Sequence, residues 1–405
     1  SASGYQQSKS GEYHKTSSAN LALDASYDYA KTYYADFGLA AIHSAQLAPG
    51  HRVGFSPSLS LGWRLKNENF LKNSKVVDDM MISVSGSIIN EDIDLAVNDN
   101  RYYLYDTNWQ TADGYGWYDG SAGKYTFSKR SANKDLDFIK RKELSVNFKT
   151  SLWQQMVTLD ASFFVNSMEG YLISTPTFYP SHFKPGYPDA SFMPVLNFNN
   201  NRRIGFDFAA NFNKKVGDVD LQLGVTGTYY NTKATKRDEL NVWDYQNREG
   251  KALDGIWGYK FAGFFQSEEE IKKSPRQMRE LAPGDIKYKD LNDDGVIDAN
   301  DQCYLGKSWF PSWSYGMGFN INYHNFDLAL FFQGVSDVSI MANGGSIDTG
   351  NGDWGASGVG IVPFTGMGLN PSNVITKALD RWTADNPRAD AWYPRMTANA
   401  TTNDN

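Results

Sequence analysis

The 405 residues carry 46 acidic and 39 basic side chains, giving a net charge of −7 and a sequence pI near 5.3. That balance argues against a nucleic-acid partner, because phosphate binding needs a basic surface. Aromatic residues make up 15% of the chain and charged ones only 21%, alongside 36 Gly, which favours a large β protein over a helical one. No uncharged apolar run reaches the length of about 18 residues that a membrane-spanning helix needs. The mean hydropathy of −0.52 leaves a membrane barrel open, since outward apolar and inward polar residues alternate and cancel in the average.

Residues 1 to 20, rich in Ser and Gly and without a signal-peptide pattern, are expected to form an irregular lead-in. From there apolar side chains recur at every second position, the signature of strands. Weak alternation runs through 21–29 and 33–41. It sharpens at Val53, Phe55, Leu59, Leu61, Trp63 and Leu65, opposed by Gly54, Ser56, Ser58, Ser60, Gly62 and Arg64. Pro57 interrupts that strand and is expected to mark a bulge, because proline cannot donate to a ladder. Weaker copies at 80–89 and 142–150 precede Val157, Leu159, Ala161, Phe163 and Val165, then Ile204, Phe206, Phe208, Ala210 and Phe212. Val219, Leu221, Leu223, Val225 and Tyr229 follow, and the series ends in a hairpin. Its first arm sets Trp313, Tyr315, Met317, Phe319, Ile321 and Tyr323 against Ser314, Gly316, Gly318, Asn320 and Asn322. Its second arm sets Phe326, Leu328, Leu330 and Phe332 against Asp327, Ala329, Phe331 and Gln333.

Most of these segments reach the ~9 to 11 residues that a tilted strand needs to cross a bilayer, whereas globular strands average ~5 to 6. Connections alternate between short (30–32, 151–155, 214–218, 324–325) and long (90–141, 167–201, 231–312, and beyond 336). Short turns on one membrane side and loops on the other would produce that alternation. Residues 66–79 are intermediate and are expected to hold a helical turn on the short-turn side.

Within the third long connection, Asp290, Asn292, Asp294, Gly295, Val296, Asp298 and Asp301 have the spacing of a calcium loop. Oxygen ligands at positions 1, 3 and 5, Gly at 6, a carbonyl at 7, a water-bridged residue at 9 and a carboxylate at 12 surround one hard cation. Asp replaces the usual Glu at position 12, and an acidic turn that binds nothing would have the same composition. A bound Ca2+ would brace the loop rather than catalyse. The first long connection holds Tyr102, Tyr103, Tyr105, Trp109, Tyr115, Trp117 and Tyr118 among Asp and Gly. Of these, Tyr102, Tyr103, Trp109, Tyr115 and Trp117 are candidate substrate contacts, because flat aromatic faces with polar edges suit sugar rings or peptide side chains. Packing of the loop or an interfacial aromatic belt would use the same residues. His14, His43, His51, His182 and His324 show no metal-ligand spacing, no Ser elbow or phosphate loop is present, and Cys303 is alone, so no enzyme is expected.

Three blocks, in family order, resemble the SusC/RagA family of TonB-dependent outer-membrane transporters. They are GFSPSLSLGWRLKNENFL at 54–71, the stretch from GYKFAGFFQSEEEI through PGDIKYKDLNDDGVIDANDQCYLGKSWFPSWSYGMGFNINYHNFDLALFFQGV at 258–335, and LDRWTADNPRADAWYPRM at 379–396. The resemblance implies an all-β transmembrane antiparallel barrel in the bacterial outer membrane, importing oligosaccharides or peptides with energy from TonB. It also implies a SusD-like surface lipoprotein as partner, with membrane lipid around the wall. A complete barrel of this class has about 22 strands, so this chain, with roughly ten to twelve, reads as an internal segment of a longer protein. The expected division is a lead-in at 1–20, barrel strands and loops over 21–336, and an extracellular loop over 337–405 leading to the final strands. The main rival is a secreted, calcium-stabilised glycan-binding β-sandwich or adhesin, with shorter strands and aromatics buried against a second sheet. A secreted glycan hydrolase would instead need an acidic pair in a cleft.

Overall fold

The computed structural model describes residues 2–9, 12–92, 103–116, 122–185, 190–278, 280–308, 310–339, 346–348, 354–356 and 376–395. In chain order its strands are β1 (Ala2–Lys9), β2 (Glu12–Tyr29), β3 (Tyr33–Ser44), β4 (Val53–Arg64), β5 (Val77–Glu91), β6 (Asn108–Gly116), β7 (Ala122–Arg130), β8 (Ile139–Leu152), β9 (Val157–Ile173), β10 (Leu196–Val216), β11 (Val219–Lys236), β12 (Gly255–Tyr259), β13 (Phe261–Phe264), β14 (Ile286–Tyr288), β15 (Gln302–Ser308), β16 (Trp313–Tyr323), β17 (Phe326–Ser336), β18 (Ser346–Asp348) and β19 (Trp354–Ala356). Among the described residues one short α-helix, α1 (Glu268–Lys273), lies between β13 and β14. Contacts divide the chain into two compact units, the first comprising residues 1–240, 248–253 and 311–337, the second 241–247, 254–310 and 338–405.

The first unit is an antiparallel sheet of eleven strands in the order β1-β2-β3-β4-β5-β8-β9-β10-β11-β16-β17. Each segment with alternating side chains lies within one of its strands, except that Leu65 falls in the turn just after β4. Register carries the alternation across the sheet: Leu61 faces Val84, Val146 faces Phe163, Phe206 faces Tyr229 and Met317 faces Phe332, so the apolar positions align on one face. A slip of one residue would invert a whole strand, so a shared face pins the register. That face is uncovered: Leu21 is 74% exposed, Phe55 61% and Leu328 50%. Its rings lie close to the backbone; a Cβ on Gly227 would sit 2.6 Å from Phe208, so only glycine leaves room for that ring.

Tight turns join the strands at one end. Ala30 and Lys31 turn with positive φ between β2 and β3, as do Trp153, Gln154 and Gln155 between β8 and β9. The two-residue links Gly217-Asp218 and His324-Asn325 have positive φ at the first residue only, the pattern of a type II′ turn. The intermediate link after β4 holds a 3-10 turn at Leu65–Asn67, where Lys66 Nζ donates to the carbonyls of Leu71, Ser74 and Val77.

Several expectations are corrected. Residues 1–20 are not irregular: β1 pairs with the first half of β2 from Ala2↔Ala19 to Lys9↔Glu12. The sequence there is mostly polar, so it offers no apolar period to read. Pro57 marks no bulge. The β3–β4 register runs through it unbroken, while β4 pairs with β5 only from Ser58 onward. Beyond that point Asn90 takes over, its backbone N–H donating to Ser56 Oγ and its amide to the Phe55 carbonyl. The stretch 21–336 contributes to both units, with 241–247 and 254–310 folding within the second.

That second unit is built from short ribbons, β12 with β15, β13 with β14, and β18 with β19. Its small core joins Phe264, Trp382 and Ala391 with Ile286, and Arg395 grips Asp285 with two bonds of 2.6 and 3.2 Å.

Candidate functional site

The face opposite the apolar one is the chemically varied surface of the first unit. Asn320 and Asn322 lie on it in β16, and Asp327 and Gln333 in β17, because Asn322 faces Asp327 and Gly316 faces Gln333 across the ladder. One rung runs from Ser26 through Asp36, Ser60, Ser85 and Ser145 to Phe164, and Ser85 and Ser145 share a 2.7 Å hydrogen bond. Short side chains leave a shallow hollow of about 440 Å³ over these strands.

Beyond the strand ends, two long connections and the eight-residue β3–β4 link fold on one another. Leu47 from the β3–β4 link, Leu104, Leu136 and Phe138 from the β5–β8 link, and Val195 from the β9–β10 link form one buried cluster, against which Ile42, Tyr105 and Leu172 pack. Polar stitching completes it. Arg130, almost fully buried, donates to the carbonyls of Tyr103 and Asp106, and Asn197 donates to those of Asp137 and Gly170. Asn133 donates to the Val195 carbonyl, and Ser128 accepts a main-chain bond from Ser191 through its own carbonyl. The connections therefore form a preorganised body, with the hairpin β6–β7 standing in the second of them.

Beside that core lies a cavity of about 460 Å³ floored by Leu104, Leu172, Ile173, Met193 and Val195. Of the aromatic residues singled out by sequence, Tyr102 and Trp117 lie outside the described residues, and the Tyr115 side chain does too. Tyr103 turns with φ of 52° and packs edge-on against Tyr105 at 5.8 Å, whereas Trp109 is 58% exposed on β6. Neither Tyr103 nor Trp109 lines the cavity. The floor escaped sequence reasoning because its aliphatic residues are scattered singly through polar loops, and only proximity unites them.

The aspartate loop belongs to the second unit and is held by its own main chain. Asp290 Oδ2 accepts the Gly295 N–H at 2.8 Å, and Asp294 Oδ1 accepts that of Val296. Asp293 and Gly295 make the sharp turn, both with positive φ. Asp301 is fully buried, and its two oxygens accept the N–H groups of Leu291 and Asp298 at 2.7 and 2.9 Å. Asp298 in turn caps the 3-10 turn Ala299–Asp301, a reciprocal capping box. With one methylene less than Glu, the residue at position 12 is held inward as a staple. Among the described residues no three Asp, Glu, His or Cys side chains converge as a metal cluster. Asp290 Oδ1, however, is shielded from solvent with no hydrogen-bond partner, and the donor set of the loop is all oxygen. The loop's negative field reaches Tyr245, whose hydroxyl is pushed up first by desolvation and then by Asp301, Asp290 and Asp294.

No family model matches the chain. Over 328 residues it is 23% identical to the TonB-dependent receptor P3 of Formosa agariphila, an alignment covering 76% of this chain and 30% of that protein. It is likewise 23% identical over 320 residues to the TonB-dependent receptor SusC of Bacteroides thetaiotaomicron, covering 75% of this chain and 29% of that one. The chain thus spans less than a third of the length of these curated relatives. In structure it is similar to the RagAB peptide transporter, with a TM-score of 0.63 at 14% identity over 95% of this chain and 39% of that one. The RagAB peptide importer in its open-open state aligns with a TM-score of 0.60 at 14% identity, over 81% of this chain and 33% of that one.

Proposed function

We infer that this chain, a barrel segment of a SusC/RagA-type TonB-dependent protein of the Gram-negative outer membrane, forms barrel wall and substrate-facing loops of an importer for oligosaccharides or peptides. The observation that carries this reading is the sheet of eleven antiparallel strands, whose pairing gathers the aromatic and aliphatic residues on one exposed face. Lipid satisfies that face as well as protein would, and long antiparallel strands with all ladder bonds made within the sheet are one of the two ways a backbone crosses hydrocarbon. A glycan-binding sandwich would bury the same residues against a second sheet. The relatives' names support uptake driven through TonB, and a SusD-like surface lipoprotein is the partner that this kinship suggests. No acid/base pair, nucleophile or enzyme role is part of the reading.

In the same reading the aspartate loop is a calcium brace. Asp290, Asn292, Asp294 and the Val296 carbonyl are the oxygens available to a hard cation. The partnerless Asp290 Oδ1 supports this assignment, while Asp298 and Asp301 act through the loop's main chain. Calcium would tie the loop shut and add no chemistry of its own. Terbium luminescence sensitised by Tyr245 reports occupancy, and loss of the signal in Asp290→Ala is the expected result.

Extraction from outer membranes in mild detergent, followed by a denaturing gel of unboiled and boiled samples, tests the transporter reading. A mobility shift on boiling, with an intact mass well above 45.4 kDa, is expected. A water-soluble species without a heat shift would sink it.

A further inference from the structure

At the long-connection end of the sheet, charge differs between the two faces. On the polar face Arg141 of β8 lies 3.5 Å from Glu91 and 3.2 Å from Glu143, so cation and carboxylates answer one another. On the apolar face one rung crosses β8, β9, β10 and β11 through Lys142, Ser167, Arg202 and Lys233. Two residues further along each strand toward the tight turns come Leu144, Val165, Ile204 and Asn231, so the cations stand at the edge of the apolar stripe.

Their depth fits a headgroup. On β10, Arg202 and Lys214 bracket the apolar positions from Ile204 to Phe212 on one face. At about 3.3 Å per residue and a tilt of about 45°, that interval projects to roughly 28 Å along the membrane normal, close to the ~30 Å of hydrocarbon in a bilayer. Arg202 therefore lies where the polar layer begins on the long-connection side.

The charges there call for an anion. Lys142 is answered by Glu169 Oε2 at 2.6 Å. Arg202 and Lys233 face each other directly, and like charges opposite one another in a ladder repel. Arg202 Nε is shielded from solvent without a hydrogen-bond partner among the described residues, and Lys233 is exposed. A phosphoryl group between them would turn repulsion into attraction, since a guanidinium presents a planar fork to its oxygens and an ammonium a point charge. Ser167 and Asn231, on the same face, add a hydroxyl and an amide suited to sugar hydroxyls. Toward the membrane centre Phe206, Tyr229 and Trp313 form a cluster with ring centroids 4.9 to 5.7 Å apart, a firm apolar wall for acyl chains.

We propose that Arg202 and Lys233 form a headgroup site for a phosphorylated glycolipid of the outer leaflet, the phosphoryl group between the two cations and the acyl chains along Phe206, Tyr229 and Trp313. Such a site rests on the barrel reading, because it needs the apolar face in lipid.

The test uses the whole transporter in mild detergent, first shown to shift on boiling and then stripped of lipid, with lipid retention followed by native mass spectrometry. The probes are lipid A, a phosphorylated acylglucosamine disaccharide, its dephosphorylated form and phosphatidylcholine. Lipid A is expected to be held about tenfold more tightly than either of the others. Arg202→Gln and Lys233→Gln should each remove most of that difference, whereas Arg203→Gln, on the opposite face of the same strand, should leave it intact. Because Arg202 is partly buried, Lys233→Gln at an exposed position carries the comparison if Arg202→Gln fails to fold. Equal retention of both forms of lipid A, equal or tighter retention of phosphatidylcholine, or an equal loss in Arg203→Gln would each overturn the site. A wild-type preparation that does not shift on boiling would instead count against the barrel reading itself.

Discussion

At the residue scale, carboxylates in the second unit spend their charge on main-chain N–H groups. Glu270 braces the start of α1: the N-cap Ser267 Oγ accepts the Glu270 N–H, and Glu270 Oε2 reaches back to accept the Gln266 N–H at 2.8 Å. The Gln266 bond first, and the Lys287 ammonium at 2.9 Å second, hold the Glu270 carboxyl below the ordinary glutamate range. A lowered folded value means that this stabilisation is complete above the unfolded glutamate value and disappears as pH falls through the folded one. Carboxyl-carbon NMR titration should find Glu270 ionised at pH values where free glutamate is half protonated. Lys287→Met should bring it only part of the way back. Asp301 is the stricter case, since both oxygens are committed and the side chain is fully buried. Asp301→Asn leaves one N–H without an acceptor, a cost of ~1 to 3 kcal/mol. Faster amide exchange at Leu291 and Asp298 is the expected signature.

At the element scale, a strand of the first unit is two half-sequences with different solvents. Val225 faces Ala210 and Met317 on the apolar side, while its neighbour Thr226 faces Ala209 and Gly316 on the polar side. Arginine at a lipid-facing midplane position costs ~2 to 4 kcal/mol. Val225→Arg should therefore lower folding stability in liposomes by that amount in urea titrations, and Thr226→Arg by only a small fraction of it. Equal losses would mean that the two faces meet the same solvent. Alternation was sharpest in β4, β9, β10, β11, β16 and β17 because one face of each strand is apolar and the other mostly polar or small. It was unreadable in β1, whose sequence ASGYQQSK carries no apolar period, so that main-chain pairing defines the strand.

At the scale of the whole molecule, the long connections of the first unit form one body rather than independent loops. Leu136 is fully buried in the core they share. Leu136→Ala should cost ~2 to 5 kcal/mol of local stability. Limited proteolysis should then cut 92–138 and 174–195 faster, while the heat shift of the barrel persists. Cleavage confined to one connection would show that they fold separately. The candidate metal residues were legible because they are adjacent in sequence. The cavity was not, because its floor draws on residues 104, 172, 173, 193 and 195.

Sequence by itself determined the strand segments, their faces and the kinship with outer-membrane transporters, since period-two alternation and contiguous motifs are local and need no partner to be read. The tertiary structure decided the rest. It set the pairing of β1 with β2, the unbroken run past Pro57, the inward use of Asp301 and the shared core beneath the loops. These depend on which groups meet in space, and partners that range from three positions apart at Asp301 to sixty-two at Asn133 and Val195 leave no period in the chain.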